Sequence, residues 1–218
     1  LYCATQVLLD PGDECIIPAP YWVTYPAQVQ LARGKSVFVE STEANGFKIT
    51  AEDLRAVVTD KTRLLVLNSP SNPTGAVYDR GELEAIADVC LEHRIGVLWD
   101  AIYDELMYEG RPLEFATIRP GMQELTVTIN GLSKSHAMTG WRMGYMVAPI
   151  PVINAVNVLQ SQSTSNATSI TQWASIAAIE GDQEPTRMMK EHFDRRRKLM
   201  LELLRTIPGV TCAEPKGA

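Results

Sequence analysis

Five short apolar runs set the strongest limit on how this chain can fold: Glu14–Ile17, Ser36–Val39, Arg63–Leu67, Ile95–Trp99 and Leu125–Ile129. Each is rich in β-branched residues and nearly continuous rather than alternating, as in strands buried on both faces. Helix-type segments lie between most of them. One spans Trp22 to Ala32 and is closed by Gly34. A second follows Thr50, with Asp53 three residues on, and a third follows Asp79, where Glu82 completes a capping-box spacing and His93 falls near the end. Strands alternating with helices predict a parallel sheet covered on both faces. Beyond Pro151 the pattern turns helical, over residues 152–162, 169–179 and 184–205. The last of these carries Met189, Phe193, Met200, Leu203 and Leu204 on one side, and its Arg195-Arg-Arg-Lys198 run reads as a solvated face. Gly209–Cys212 reads as strand-like.

Composition removes several function classes. With 20 Lys and Arg against 26 Asp and Glu among 218 residues, the net charge of −6 is the reverse of what a nucleic-acid-binding chain carries. No apolar run approaches the ~18 residues of a membrane span, and no secretory signal opens the chain. Cys3, Cys15, Cys90 and Cys212 form no C-x-x-C pair and suit neither a zinc site nor a disulfide framework, so they read as free buried thiols of a reducing compartment. The chain opens in what reads as mid-helix and closes on Glu214–Ala218, so both ends read as cut from a longer protein.

In an open parallel sheet, ligands bind beyond the carboxyl ends of the strands. Three strand exits carry polar groups there: Asn68-Ser-Pro-Ser-Asn-Pro-Thr-Gly75, Asp100-Ala-Ile-Tyr103 and Asn130-Gly-Leu-Ser-Lys134. Each residue has a bland reading by itself. Asp100 could cap a helix, Asn68 and Asn72 could be turn residues, Lys134 a surface lysine and Trp22 a core or loop anchor. His136 reads as a loop residue away from the site, and Tyr21 and Tyr25 as packing.

Together with Thr139-Gly-Trp-Arg-Met-Gly-Tyr145 and Pro20-Tyr-Trp-Val-Thr-Tyr-Pro26, these segments, in this order and spacing, are specific. The pattern resembles the class I aminotransferases, pyridoxal-phosphate enzymes of fold type I, and within them the bacterial-type aspartate aminotransferase branch. The resemblance covers essentially the whole chain. It implies an α/β, three-layer large domain with a mostly parallel central sheet over residues 1–193, and the start of a smaller C-terminal α+β domain over residues 194–218.

The resemblance also implies roles. Lys134 looks like the lysine that holds pyridoxal 5'-phosphate as a Schiff base and later moves a proton. Asp100 resembles the carboxylate that pairs with the pyridine nitrogen. Tyr103 and Asn72 resemble the pair that bonds the ring's phenolic oxygen, with Asn72 also reaching the substrate carboxylate. Ser133 and Arg142 resemble phosphate ligands, Arg for its planar fork of donors, with Gly140 allowing close approach. Trp22 resembles the aromatic residue stacked on the ring and bordering the substrate. The implied reaction is transamination between an L-amino acid, aspartate favoured, and a 2-oxo acid, 2-oxoglutarate favoured, by a cytoplasmic homodimer without nucleic-acid or membrane partners. A β-lyase and a cofactor-binding regulatory module of a transcription factor are the alternatives. Ala101 departs from the family, where Glu commonly follows the aspartate. The family's Gly-rich phosphate loop, its substrate-carboxylate arginine and its N-terminal dimer segment find no counterpart.

Overall fold

A computed structural model describes residues 1–218. Its centre is a six-stranded sheet in the order β2-β1-β3-β4-β5-β6. The strands are β1 (Glu14–Ala19), β2 (Lys35–Glu40), β3 (Thr62–Asn68), β4 (Gly96–Asp100), β5 (Thr126–Gly131) and β6 (Gly144–Val147). The first five run parallel, and β6 joins β5 antiparallel. All five expected strands are present. β6 was not foreseen, because Gly144-Tyr-Met-Val147 is a four-residue edge strand whose Tyr145 and Val147 are exposed. It lacks the doubly buried apolar signature of the others.

The near-continuous hydrophobicity of β3 has a direct cause. Leu64 and Val66 face one core, with Cys15, Ile17, Leu98 and Val127. Leu65 and Leu67 face the other, with Ile16, Val97 and Trp99. Helices α1 (Tyr2–Leu8) and α2 (Thr24–Leu31) cover the first face through Ala4, Tyr25 and Val29. Helices α3 (Ala51–Val57) and α4 (Arg80–His93) cover the second through Leu54, Leu83, Ile86 and Val89. Cys15 and Cys90 lie in these cores, where burial pushes each thiol up to about 12. Cys3 is half-buried and Cys212 exposed, so the expectation of four buried thiols holds for two.

Local signals placed the helix starts well. Thr50 and Asp79 each receive the N–H three residues on, and Asp53 and Glu82 reach back, closing two capping boxes. Helix ends differ in detail. Arg33, not Gly34, takes the left-handed conformation after α2 (φ 60°). Gly34 is small for another reason: a Cβ there would sit 3.2 Å from Asp13 O and from Val29 Cγ1.

After β5 come α5 (Leu132–Ser135), then α6 (Ile150–Ser163), α7 (Ser169–Glu180) and α8 (Glu184–Leu204). Two expectations fail here. Gly209–Cys212 forms no strand; the segment beyond it bridges Gly217 to Met107 instead. The Arg195–Lys198 run is not uniformly solvated, because the Arg197 side chain is only 6% exposed and pairs with Asp194, Glu109 and Glu214. No helix is long and apolar enough to cross a membrane.

The Asp79 cap tests the α4 boundary. Asp79→Ala is expected to destabilise the protein by about 1 kcal/mol, read as a lower urea midpoint at unchanged slope.

Candidate functional site

The strand order reverses between β1 and β3, and a doubly wound sheet opens a crevice at the carboxyl ends beside such a reversal. A cavity of ≈ 370 Å³ lies there, walled by the exits of β1, β3, β4 and β5. Asp100, Tyr103, Asn72 and Trp22 line it, as do Lys134, Ser133 and Arg142. All seven residues expected to form the site therefore meet around one space. His136 is not among its lining residues; it bonds Ser135 and Gln183 instead. A larger cavity of ≈ 640 Å³ adjoins through Tyr103, Ser133, Lys134 and Thr139 and runs beneath α8. The polar and ionisable groups converge on the smaller one.

Register explains the convergence. Asn68 ends β3 directly opposite Asp100, which ends β4 opposite Ile129 of β5. Asn68 then fastens the strand ends: its Nδ2 donates to Asp100 O (2.8 Å), and its Oδ1 accepts the Asn72 N–H (2.7 Å). Asn72 Nδ2 in turn donates weakly to Tyr103 Oη at 3.4 Å. Lys134 Nζ lies 5.8 Å from the centre of the Tyr103 ring.

Asp100 is the most constrained group. It is 3% exposed, and each carboxylate oxygen accepts one hydrogen bond, from Tyr25 Oη (2.8 Å) and from the Ile102 N–H (3.2 Å). The Ile102 contact resembles a turn cap, yet no regular helix follows, only a 3-10 turn at Asp104–Leu106. Both bonded partners are uncharged. Burial raises the Asp100 pKa, and the bonds from Tyr25 and Ile102 partly oppose that rise. A carboxylate offers about four acceptor positions, so Asp100 keeps capacity for a cationic N–H presented from the cavity.

Tyr25 was expected only to pack. It does pack, at 5% exposure and edge-on to Trp22 (5.5 Å, 86°), but its hydroxyl is also the closest partner of Asp100. Burial, followed by the neighbouring Asp100 charge, raises its pKa far above the ordinary phenol value, so it stays a donor. No local pattern announces that bond, since the two residues lie 75 positions apart. Tyr21 meets its expectation, stacking on Phe38 at 5.0 Å. Asn68 and Asn130, which open two of the strand-exit motifs but carry no expected role, also line the cavity.

Arg142 sits in the left-handed region (φ 54°) and donates from Nη1 to Thr139 O (2.9 Å), and it lines the cavity with Ser133. Ser133 O accepts from Thr139 Oγ1 at 3.0 Å, closing the same loop. Gly140 is not required by packing, as a Cβ there would meet nothing within 4 Å. The arrangement thus offers two cations, a buried carboxylate, a phenol and amide pair, and a flat aromatic wall. Those groups suit an anionic ligand with a planar, basic nitrogen ring and a carbonyl within reach of an amine.

The family model for aminotransferase class I and II matches residues 1–218. The chain belongs to the class I and II aminotransferases. It is 50% identical to the aspartate aminotransferase of Geobacillus stearothermophilus, over all of this chain and 56% of that protein. It is 46% identical to the aspartate/prephenate aminotransferase of Cereibacter sphaeroides, over 100% and 55%. The solved aspartate aminotransferase of Rhizobium meliloti superposes with a TM-score of 0.97 at 43% identity, covering 100% of this chain and 55% of that one. The aromatic aminotransferase of Pyrococcus horikoshii superposes at 0.96 with 38% identity, covering 100% and 58%. The chain spans about half the length of the relatives it matches. As in other members of this aminotransferase family, the sheet order and the strand-end crevice belong to one α/β architecture of fold type I.

Two predictions follow from Asp100. Its folded pKa is raised, so in cofactor-free protein its contribution to stability is fully present at low pH and is lost as pH rises through the elevated value. Asp100→Asn is expected to flatten the fall in stability that sets in as pH rises above the ordinary carboxylate range, checked by urea midpoints. Tyr25→Phe, which deletes a donor to the charged form, is expected to raise the Asp100 pKa further, checked by carboxyl carbon NMR titration.

Proposed function

We propose that this chain forms the greater part of a pyridoxal-phosphate site for transamination, with aspartate and 2-oxoglutarate as the favoured pair. The carrying observation is the convergence of Lys134, Asp100, Tyr103, Asn72 and Arg142 on one cavity at the strand ends. The names of the relatives support the same reading, because each cited protein is an aminotransferase. They give no support to the β-lyase or the regulatory module. A cytoplasmic homodimer, and a division between residues 1–193 and 194–218, belong to the same proposal.

The residues fit the cofactor. Arg142 and Ser133 would hold its phosphate, Trp22 would cover one ring face, and Asp100 would receive the ring N–H. When bound, the cofactor supplies an electron sink for the pair left behind when a substrate Cα loses its proton. The protein supplies the rest. Asp100 holds a proton on the ring nitrogen, because a buried carboxylate is stabilised by a cation placed against it. Tyr103 and Asn72 stabilise negative charge on the phenolic oxygen by donating to it. Asn72 would also bind the substrate carboxylate. Lys134 would supply the amine that anchors the cofactor and, when that amine is free, the base that moves the substrate Cα proton. The same base serves both transfers, so the two half-reactions require one lysine and ping-pong kinetics are expected.

Absorbance of the purified protein with pyridoxal phosphate tests the reading. A visible band is expected that bleaches with L-aspartate and returns with 2-oxoglutarate. Lys134→Ala should lack the band and lose turnover by at least about 10²–10⁴-fold. Asp100→Ala should keep the band while kcat falls more than KM rises. A wild-type band that no amino acid alters would defeat transamination while leaving cofactor binding intact.

A further inference from the structure

We infer that Arg197 is a positioning residue for the Asn72–Tyr103 pair, acting through a strap made of residues 214–218; its role toward the cofactor rests on the proposed transaminase reading. The strap lies between the two loops that carry the pair. On one side, the Lys216 and Gly217 N–H groups both donate to Gly75 O, at 2.8 and 3.2 Å. On the other, the Tyr108 N–H donates to Lys216 O (2.9 Å) and the Ala218 N–H to Leu106 O (3.3 Å), while Tyr108 Oη donates to Ala218 O (2.9 Å). Gly75 follows Asn72 by three residues and Leu106 follows Tyr103 by three, so the strap joins the backbone bearing one member of the pair to that bearing the other.

The contact has little slack. A Cβ on Gly217 would fall 2.5 Å from Pro70 Cγ, and one on Gly75 would overlap Pro215. The pair also needs external alignment, because its own hydrogen bond, at 3.4 Å, is long.

Arg197 clamps the strap to α8. Its guanidinium donates to Pro215 O at 2.7 Å and to Glu214 at 3.3 Å, both strap residues, and lies 5.0 Å from the Tyr108 ring centre. Asp194, one turn back on α8, holds it from behind at 2.8 Å. A helix-surface ion pair would need Asp194 alone and would contribute little. Here a nearly buried planar cation contacts the strap and the loop beyond Tyr103 together, a task that suits the rigid fork of arginine and not a lysine ammonium.

The test is Arg197→Met, with Gly217→Ala as a second variant that disturbs the strap from its other edge should the first fail to fold. In cofactor-free protein, amide exchange at Tyr108, whose N–H donates to Lys216 O, and at Lys216, whose N–H donates to Gly75 O, is expected to quicken; unchanged exchange overturns the clamp. In cofactor-loaded protein, the pH midpoint of the visible band is expected to move up by roughly half a unit or more, since a misaligned pair stabilises the phenolic oxygen less. That shift should be less than additive with the one caused by Tyr103→Phe. A lower melting temperature with an unmoved midpoint overturns the positioning role and leaves Arg197 merely structural. A wild type with no visible band would instead sink the transaminase reading and the positioning claim with it, leaving the exchange result to decide the strap alone.

Discussion

Parallel register at the carboxyl ends of β3, β4 and β5 is the constraint on which the rest of the molecule depends. Asn68 and Asp100 finish their strands side by side, with Ile129 of β5 in register beside Asp100, so the segments that follow leave from neighbouring points. The Asn68 amide then bonds across to Asp100 O and forward to the Asn72 N–H, turning strand alignment into site geometry. A one-residue slip of β4 would turn Asp100 toward the opposite face of the sheet and remove the carboxylate from the cavity.

That carboxylate creates a tension the fold keeps. Burial opposes its charge, and the structure answers with two neutral donors bonded to it. Tyr25 is suited to the task because its own burial holds its proton in place. The result is a buried carboxylate that opposes its own charge and keeps acceptor capacity toward the cavity. Binding sites commonly trade stability for function in this way. The same economy shows at Arg197, where one buried guanidinium serves the strap, the Tyr108 loop and α8 together.

Much of this was legible in the residues. The five buried strands announce themselves because both faces of the sheet are covered, so no polar alternation interrupts them. The capping boxes at Thr50 and Asp79 are local chemistry and were readable for that reason. The seven residues that the motifs point to all line the one cavity. What escaped was non-local. β6 is recognisable only by its partner β5; Tyr25 bonds a residue 75 positions away; Arg197 is buried by Pro215 and Tyr108, which no helical periodicity reveals.

By itself, then, the sequence determined the strand–helix alternation, the helix caps and the identity of the groups at each strand exit, because these rest on side chains within a turn or two of one another. Only the tertiary structure decided that Asp100 would be held by Tyr25, that Asn68 would lace β3 to β4, and that a basic helical run would give one arginine to a strap beneath the site. Such pairings are set by which chain segments the sheet order brings together, and loop closure over tens of residues leaves no periodic trace in the residues that eventually touch.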